Sequence, residues 1–232
     1  MPLPRLLDVA TSMFSTVSRL GAGVQARRPI RRPAQPLELY EFEGCPFCRK
    51  VRDALTELDL EVMVYPCPHD GTVYRPKVIA EGGKSQFPYL VDPNTGTRMY
   101  ESDDIVGYLF ETYGGRSPGL LVQGTVATAT SMLASAFRPT SGTRAVPSKR
   151  PEMPLELWSF EASPFCRIAR EALCELELPY LLHNVGKDGE GRAAFVARSG
   201  KMMVPYLVDP NTGRAMFESA EIRKYLHATY GA

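Results

Sequence analysis

Cys45 and Cys48 stand three apart in GCPFCRK, residues 44–50. A thiol pair at this spacing can cycle between dithiol and disulfide, supply half of a zinc site, or simply pack in a core. The redox use has physical requirements that can be read from the neighbours. A cysteine just ahead of a helix directs its sulfur at backbone N–H groups that have no partner. Their partial positive charge favours thiolate, the attacking species. Pro46 suits a first helical turn, where a missing N–H costs nothing, and Arg49 and Lys50 are candidates to add positive potential. Cys48, deeper in the helix, would attack a mixed disulfide on Cys45 and release the reduced partner. Zinc would need a second ligand pair, and no other CxxC or Cys/His pair stands at ligand spacing, so no metal is expected.

The same loop returns as ASPFCRI at 162–168, with Ser163 where the first cysteine stood and Cys166 kept. LELYEFEGCPFCRKVRDALTELDL at 37–60 lies over LELWSFEASPFCRIAREALCELEL at 155–178, and PYLVDPNTG at 88–96 recurs unchanged at 205–213. The chain is a tandem repeat, and that decides its architecture. The repeat reaches back to ATSMFSTVSR at 10–19, which resembles ATSMLASAFR at 129–138. In this alignment Cys67 meets Val185 and Cys174 meets Thr56. Neither is expected at a shared site, and the isolated His69, His183 and His227 are expected at the surface or in packing.

These motifs need elements to hold them. LELYEF alternates like a strand, and the helix after CPFC turns Val51, Ala54, Leu55 and Leu58 inward. EVMVYP is a second strand, residues 73–81 a short helix, and FPYLVD, PNTG and RMYE a hairpin. Residues 102–113 close the module as a helix capped by Ser102. A βαβ unit followed by ββα gives an α/β fold with a parallel pair joined to an antiparallel hairpin. The divisions expected are a leading helix and basic loop (1–36), a first module (37–115), a helix and basic linker (116–153) and a second module (154–232). The modules are expected to pack as an intramolecular pseudo-dimer.

Composition fits a globular chain of 232 residues, 44% hydrophobic and 23% charged. Its formal net charge of +1 hides a segregation: residues 1–36 carry +5 and 116–151 carry +5, leaving −9 for the rest. The run RRPIRRP therefore has acidic modules to lie against, which favours a solvated loop over a nucleic-acid arm. Leu6, Ala10, Met13, Val17 and Leu20 share one helical face, as do Val122, Val126, Ala129, Leu133 and Ala136. Both faces are expected to pack on their modules. An Arg-rich, acid-poor start also fits a transit peptide, which would place the protein in an organellar stroma or matrix. A removable leader has no reason to recur in mid-chain, so structural helices and a cytoplasmic setting are the preferred reading. Five cysteines, an odd set, fit a reducing compartment. Residues 117–137 lack charge but are too polar for a transmembrane span.

CPFC between strand and helix, followed some forty residues on by QFP and then ES, resembles the glutaredoxins. It is equally similar to the N-terminal, glutathione-binding domain of glutathione S-transferases. The resemblance covers 37–114 and 155–231, and it implies two thioredoxin-like βαβαββα modules, each preceded by an amphipathic helix. It implies glutathione as the bound cofactor, Cys45 as nucleophile and Cys48 as resolving thiol. Phe87–Pro88, with a cis bond, would pair with the cysteinyl amide, and Glu101 and Ser102 would receive the γ-glutamyl carboxylate. Glutathionylated or disulfide proteins would be the substrates. Ser163, Cys166, Val204, Pro205, Glu218 and Ser219 mark the equivalent second site. There Met203 replaces Gln86, and an alcohol cannot form a disulfide. Glu43 stands just upstream of the motif, and a nearby carboxylate opposes thiolate formation. The helical domain that completes transferases is not expected here, so the alternatives are a glutathione-binding scaffold with little turnover or an atypical transferase.

Overall fold

The computed structural model describes residues 4–232. Helix α1 (Arg5–Val17) precedes the first module: β1 (Leu37–Glu41), α2 (Pro46–Glu57), β2 (Val62–Pro66), α3 (Arg75–Gly82), β3 (Tyr89–Asp92), β4 (Thr97–Met99) and α4 (Ser102–Leu109), the last running into a π-helical turn, Phe110–Gly114. Helix α5 (Gly124–Ala136) precedes the second module, β5 (Leu155–Ser159), α6 (Pro164–Glu175), β6 (Tyr180–Asn184), α7 (Gly191–Ser199), β7 (Tyr206–Asp209), β8 (Arg214–Phe217) and α8 (Ser219–Tyr230). In each module the βαβ pair is parallel and the hairpin antiparallel. The two modules join edge to edge where β2 pairs antiparallel with β6, Val62 facing Leu182 and Val64 facing Tyr180. One eight-stranded sheet results, in the order β4-β3-β1-β2-β6-β5-β7-β8. Joining at β2 and β6 gives each of those strands a partner on both sides, which removes an exposed edge from each module.

Val51, Ala54, Leu55 and Leu58 of α2 are buried as the periodicity requires, against Leu37, Leu39 and Ile105. The opposite side of the same helix is buried too, and it is charged. Arg52 pairs with Glu161 at 2.9 Å, with Glu43 at 3.3 Å and with Glu41. Its repeat equivalent, Arg170, pairs with Glu43 at 3.0 Å and Glu161 at 2.8 Å. Each arginine thus reaches a carboxylate of the other module. Removing one partner would leave a buried charge uncompensated, which makes the network costly to break.

The helices ahead of the modules depart from the expectation in two ways. Each packs on the other module, α1 along α6 and α5 along α2. Ser12 Oγ donates to the Pro164 carbonyl at 2.8 Å, and Ser131 Oγ to the Pro46 carbonyl at 2.6 Å. Arg19 pairs with Asp53 at 2.6 Å, and Arg138 with Glu171 at 2.5 Å. All four contacts obey the repeat, so α1 and α5 are equivalent elements exchanged across a pseudo-two-fold axis. The buried face is the one of small and polar residues. Asp8, Ser12, Ser15 and Arg19 point inward, as do Ala127, Ser131, Ala134 and Arg138, whereas Leu6, Met13, Val17, Leu20, Val126 and Leu133 are exposed. The physical reason is the charge buried beneath. Asp53 and Glu171 need partners inside, and small serines let the helices approach closely enough to supply them. Val122 is buried, but it precedes α5.

The basic run behaves as expected. Arg32 reaches Asp59 at 2.8 Å and Glu190 at 3.3 Å, and Arg28 reaches Glu190 at 3.3 Å. Ser102 is not a cap. It is the first helical residue, and Glu101 occupies the cap position with a positive φ of 66°. Glu218 repeats this at 68°.

Candidate functional site

Cys45 caps the N-terminus of α2, and its sulfur accepts the Cys48 backbone N–H at 3.3 Å. Burial pushes the Cys45 thiol up. Hydrogen bonds from Cys48, side chain and backbone, and from the Phe47 backbone outweigh it, and the net shift is below the ordinary cysteine value. Cys48 is fully buried. Burial and its bond to Cys45 hold it well above the ordinary value. The pair is therefore polarised, with one thiol prepared to ionise and the other kept as a thiol. Both are free thiols.

The charges around them are not those the sequence suggests. Arg49 turns to Glu161 at 3.4 Å and Lys50 to Asp103 at 2.6 Å, so neither is available to the sulfur. Glu43 is taken by Arg170, and the carboxylate that opposes the Cys45 thiolate is Glu41. Burial pushes Glu41 up to about 7, Arg52 opposing and Glu43 and Glu161 adding to the rise.

Cys45 lies on the wall of a cleft of about 430 Å³, which also brings together Phe87, Pro88, Glu101 and Ser102. Three stretches separated in sequence thus meet at one opening, with Cys48 behind it. Phe87–Pro88 is cis. Glu101 holds its left-handed backbone at the mouth, a strained conformation for a non-glycine residue. Its Oε1 accepts from Gln86 Nε2 at 2.5 Å. Phe42, Phe47, His69, Arg75 and Ser85 also line it, and the sequence reading assigned none of them to a site. His69 is thus a wall of the cleft as well as a packing partner of Phe42, 4.9 Å away. Arg75 lies 4.5 Å over the Phe87 ring, and its Nε donates to the Cys67 and Pro68 carbonyls. The signal for Arg75 was present: Arg192 stands at the same place in the repeat and makes the same pair of bonds, to the Val185 and Gly186 carbonyls.

The second site has the same frame. Ser163 caps α6, its Oγ accepting the Cys166 N–H at 3.2 Å, and Val204–Pro205 is cis. Glu218 and Ser219 open α8 as Glu101 and Ser102 open α4. Cys166 is fully buried, and burial pushes its thiol up. Cys67 and Cys174 are also buried and pushed up, as packing thiols are. A larger cavity of about 800 Å³ lies beside α8, lined by Asp8, Arg144 and Lys224 among others, and it contains no thiol.

The family described as "Glutathione S-transferase, N-terminal domain" matches residues 39–117 and 157–232. The chain belongs to that family and carries its domain twice. No match appears among curated proteins. Among solved structures, the Bombyx mori glutathione transferase BmGSTD1 is 28% identical over 36% of this chain and 38% of its own, with a TM-score of 0.31. The chain thus spans well under half of that transferase. TDR1 of Leishmania, a trimeric glutathione transferase, is 14% identical over 84% of this chain and 67% of its own, with a TM-score of 0.30. Among the described residues no helix is long and apolar enough to cross a membrane.

Proposed function

We propose that the protein is a glutathione-dependent thiol–disulfide oxidoreductase acting on glutathionylated or disulfide-bonded proteins. The observation that carries this is Cys45: a thiol favoured as thiolate by the N-terminus of α2, on the wall of a cleft of about 430 Å³. In the reaction the Cys45 thiolate attacks the glutathione sulfur of a protein–glutathione disulfide. The protein leaves as thiolate and takes a proton, and Cys45 is left in a mixed disulfide with glutathione. A second glutathione then attacks that sulfur, restores Cys45 and leaves as oxidised glutathione. Alternatively Cys48 attacks Cys45, forming the internal disulfide and releasing reduced glutathione. Phe87–Pro88 and Glu101–Ser102 form the cradle for glutathione in this reading, with Arg75 and His69 as cationic or donor groups toward a carboxylate. The second module is a non-redox partner.

The test is release of glutathione from a glutathionylated protein at saturating glutathione. Turnover lost in Cys45→Ser supports the reading, and its absence in the wild type would sink it. Two observations favour a second reading, a glutathione-binding scaffold with little turnover. Glu41 opposes the Cys45 thiolate, and Cys48 is held as a buried thiol. Glutathione bound equally by wild type and Cys45→Ser, without turnover in either, would favour the scaffold.

A further inference from the structure

We infer that the outward faces of α1 and α5 are the contact surface between two copies of this chain. The small and polar faces of both helices are turned to the interior, and what they turn outward is apolar at matched positions. Leu7 and Val126 are 54% and 48% exposed, Met13 and Met132 46% and 49%, Phe14 and Leu133 60% and 53%. Each pair is related by the repeat. About half of each of these side chains stays in water in the monomer, yet both copies of the repeat carry large apolar residues there.

Size and charge point to the occupant. Leu6, Leu7, Met13, Phe14 and Val17 of α1 and Val126, Met132 and Leu133 of α5 are large apolar side chains left exposed on two helices that touch, a cluster and not a scatter. The largest patch on a typical monomer is about 300–600 Å², and a standard interface takes about 800 Å² from each partner. Among the described residues of the two helices Arg5 is the one exposed charge, because Asp8 is buried against Arg138 and Arg223. A bilayer-binding helix places basic residues around its apolar face. Here Arg28 and Arg32 of the run 27–32 pair instead with Asp59 and Glu190, and Arg31 lies over the Tyr113 ring. An uncharged face suits a surface of its own kind. Its relief does too: the rings of Phe14 and Phe137 stack 5.8 Å apart where the helices meet, and Ala10, Ala129 and Ala136 leave low ground between the larger side chains. A second copy offers the same ridges and grooves, and an isologous contact closes at two chains.

The experiment is the mass of the full chain in solution at micromolar concentration, by light scattering and by sedimentation. The wild type is expected at twice the chain mass. Phe14→Glu with Leu133→Glu should raise the dissociation constant at least 100-fold while circular dichroism and melting stay those of the monomeric fold. Leu7→Ser with Val126→Ser gives a milder second pair should the first disturb folding. Ile79→Glu, an exposed apolar position on α3, should leave the dimer intact. A wild type monomeric at 100 μM overturns the proposal, as does a dimer indifferent to both pairs. A monomer that sediments with phosphatidylcholine vesicles, and loses this in the variants, overturns it in favour of a lipid surface.

Discussion

The CPFC and SPFC loops are the same construction with one atom changed. Cys48 N–H reaches Cys45 Sγ at 3.3 Å, and Cys166 N–H reaches Ser163 Oγ at 3.2 Å. Both caps have extended backbone, both are followed by proline, and both modules carry the cis X-Pro bond and the left-handed glutamate. The helix N-terminus is therefore a frame that works whatever caps it. Sulfur in that frame is shifted toward thiolate, and an alcohol cannot supply one. The difference also teaches that the frame persists with an alcohol in place of the capping thiol, so its presence alone assigns no chemistry. Around the frame the second module has changed as well: Met203 replaces Gln86 and Val204 replaces Phe87.

The largest expected effect comes from making the first module like the second. Cys45→Ser should lower deglutathionylation by about 10³-fold or more, because the alcohol is neither thiolate nor able to enter a disulfide. Cys48→Ser should stay within about tenfold of wild type, glutathione replacing the resolving thiol. Equal loss in both variants would show that the internal disulfide is obligatory.

The charge network tests whether the two modules depend on one another. Arg170→Met should destabilise by about 3–5 kcal/mol, since Glu43 and Glu161 lose a partner while remaining buried. Thermal melting of the variant should show one transition at lower temperature, as expected of modules that unfold together. Two separate transitions would mean that the sheet junction between β2 and β6 does not couple them.

The reverse substitution sharpens the comparison. Ser163→Cys places sulfur in the second frame and should create a thiol alkylated by iodoacetamide below the pH that an ordinary cysteine needs. Its rate at pH 7 should lie within about tenfold of that of Cys45, because the same helix terminus acts on both. Turnover should not follow, since Gln86 and Phe87 have no equivalents there. A Ser163→Cys thiol of ordinary reactivity would mean that the helix terminus alone does not set the Cys45 thiol.

Much of this was legible in the sequence. The duplication, the strand and helix order and the hairpin follow from periodicity and turn residues. The gathering of Cys45, Pro88 and Glu101 follows from the family resemblance. What was not legible is where charge goes. Periodicity marks Val51 and Leu55 as inward but cannot tell that Arg49 and Arg52 on the same helix are inward too, because a buried arginine depends on a carboxylate distant in sequence. The inverted faces of α1 and α5 have the same origin: an apolar stripe predicts burial only when nothing beneath the helix needs a polar partner. Adjacency in sequence puts Glu43 beside the thiolate, but its partner Arg170 lies in the other repeat and holds it away.

Glu41 provides the smallest effect and the finest test of this point. Its pKa rises from 4.5 to about 7, burial leading, so folding favours the protonated form. The sign follows. Its contribution to stability is fully present below about pH 4.5 and is lost as the pH rises through about 7. Glu41→Gln removes that titration, so the variant should lose less stability than the wild type between pH 4.5 and 7. Arg52 keeps Glu161 and Glu43, so no buried cation is stranded. The same carboxylate opposes the Cys45 thiolate. In Glu41→Gln the alkylation midpoint of Cys45 should therefore fall, by less than about one pH unit, raising its rate at pH 7 by roughly 2–5-fold. Ser163→Cys in the second module has Ser159 where the first has Glu41, so Glu41→Gln should leave its alkylation rate unchanged. Measuring both thiols in one protein separates a local carboxylate from a general change in the fold, and equal shifts in the two would refute the local role.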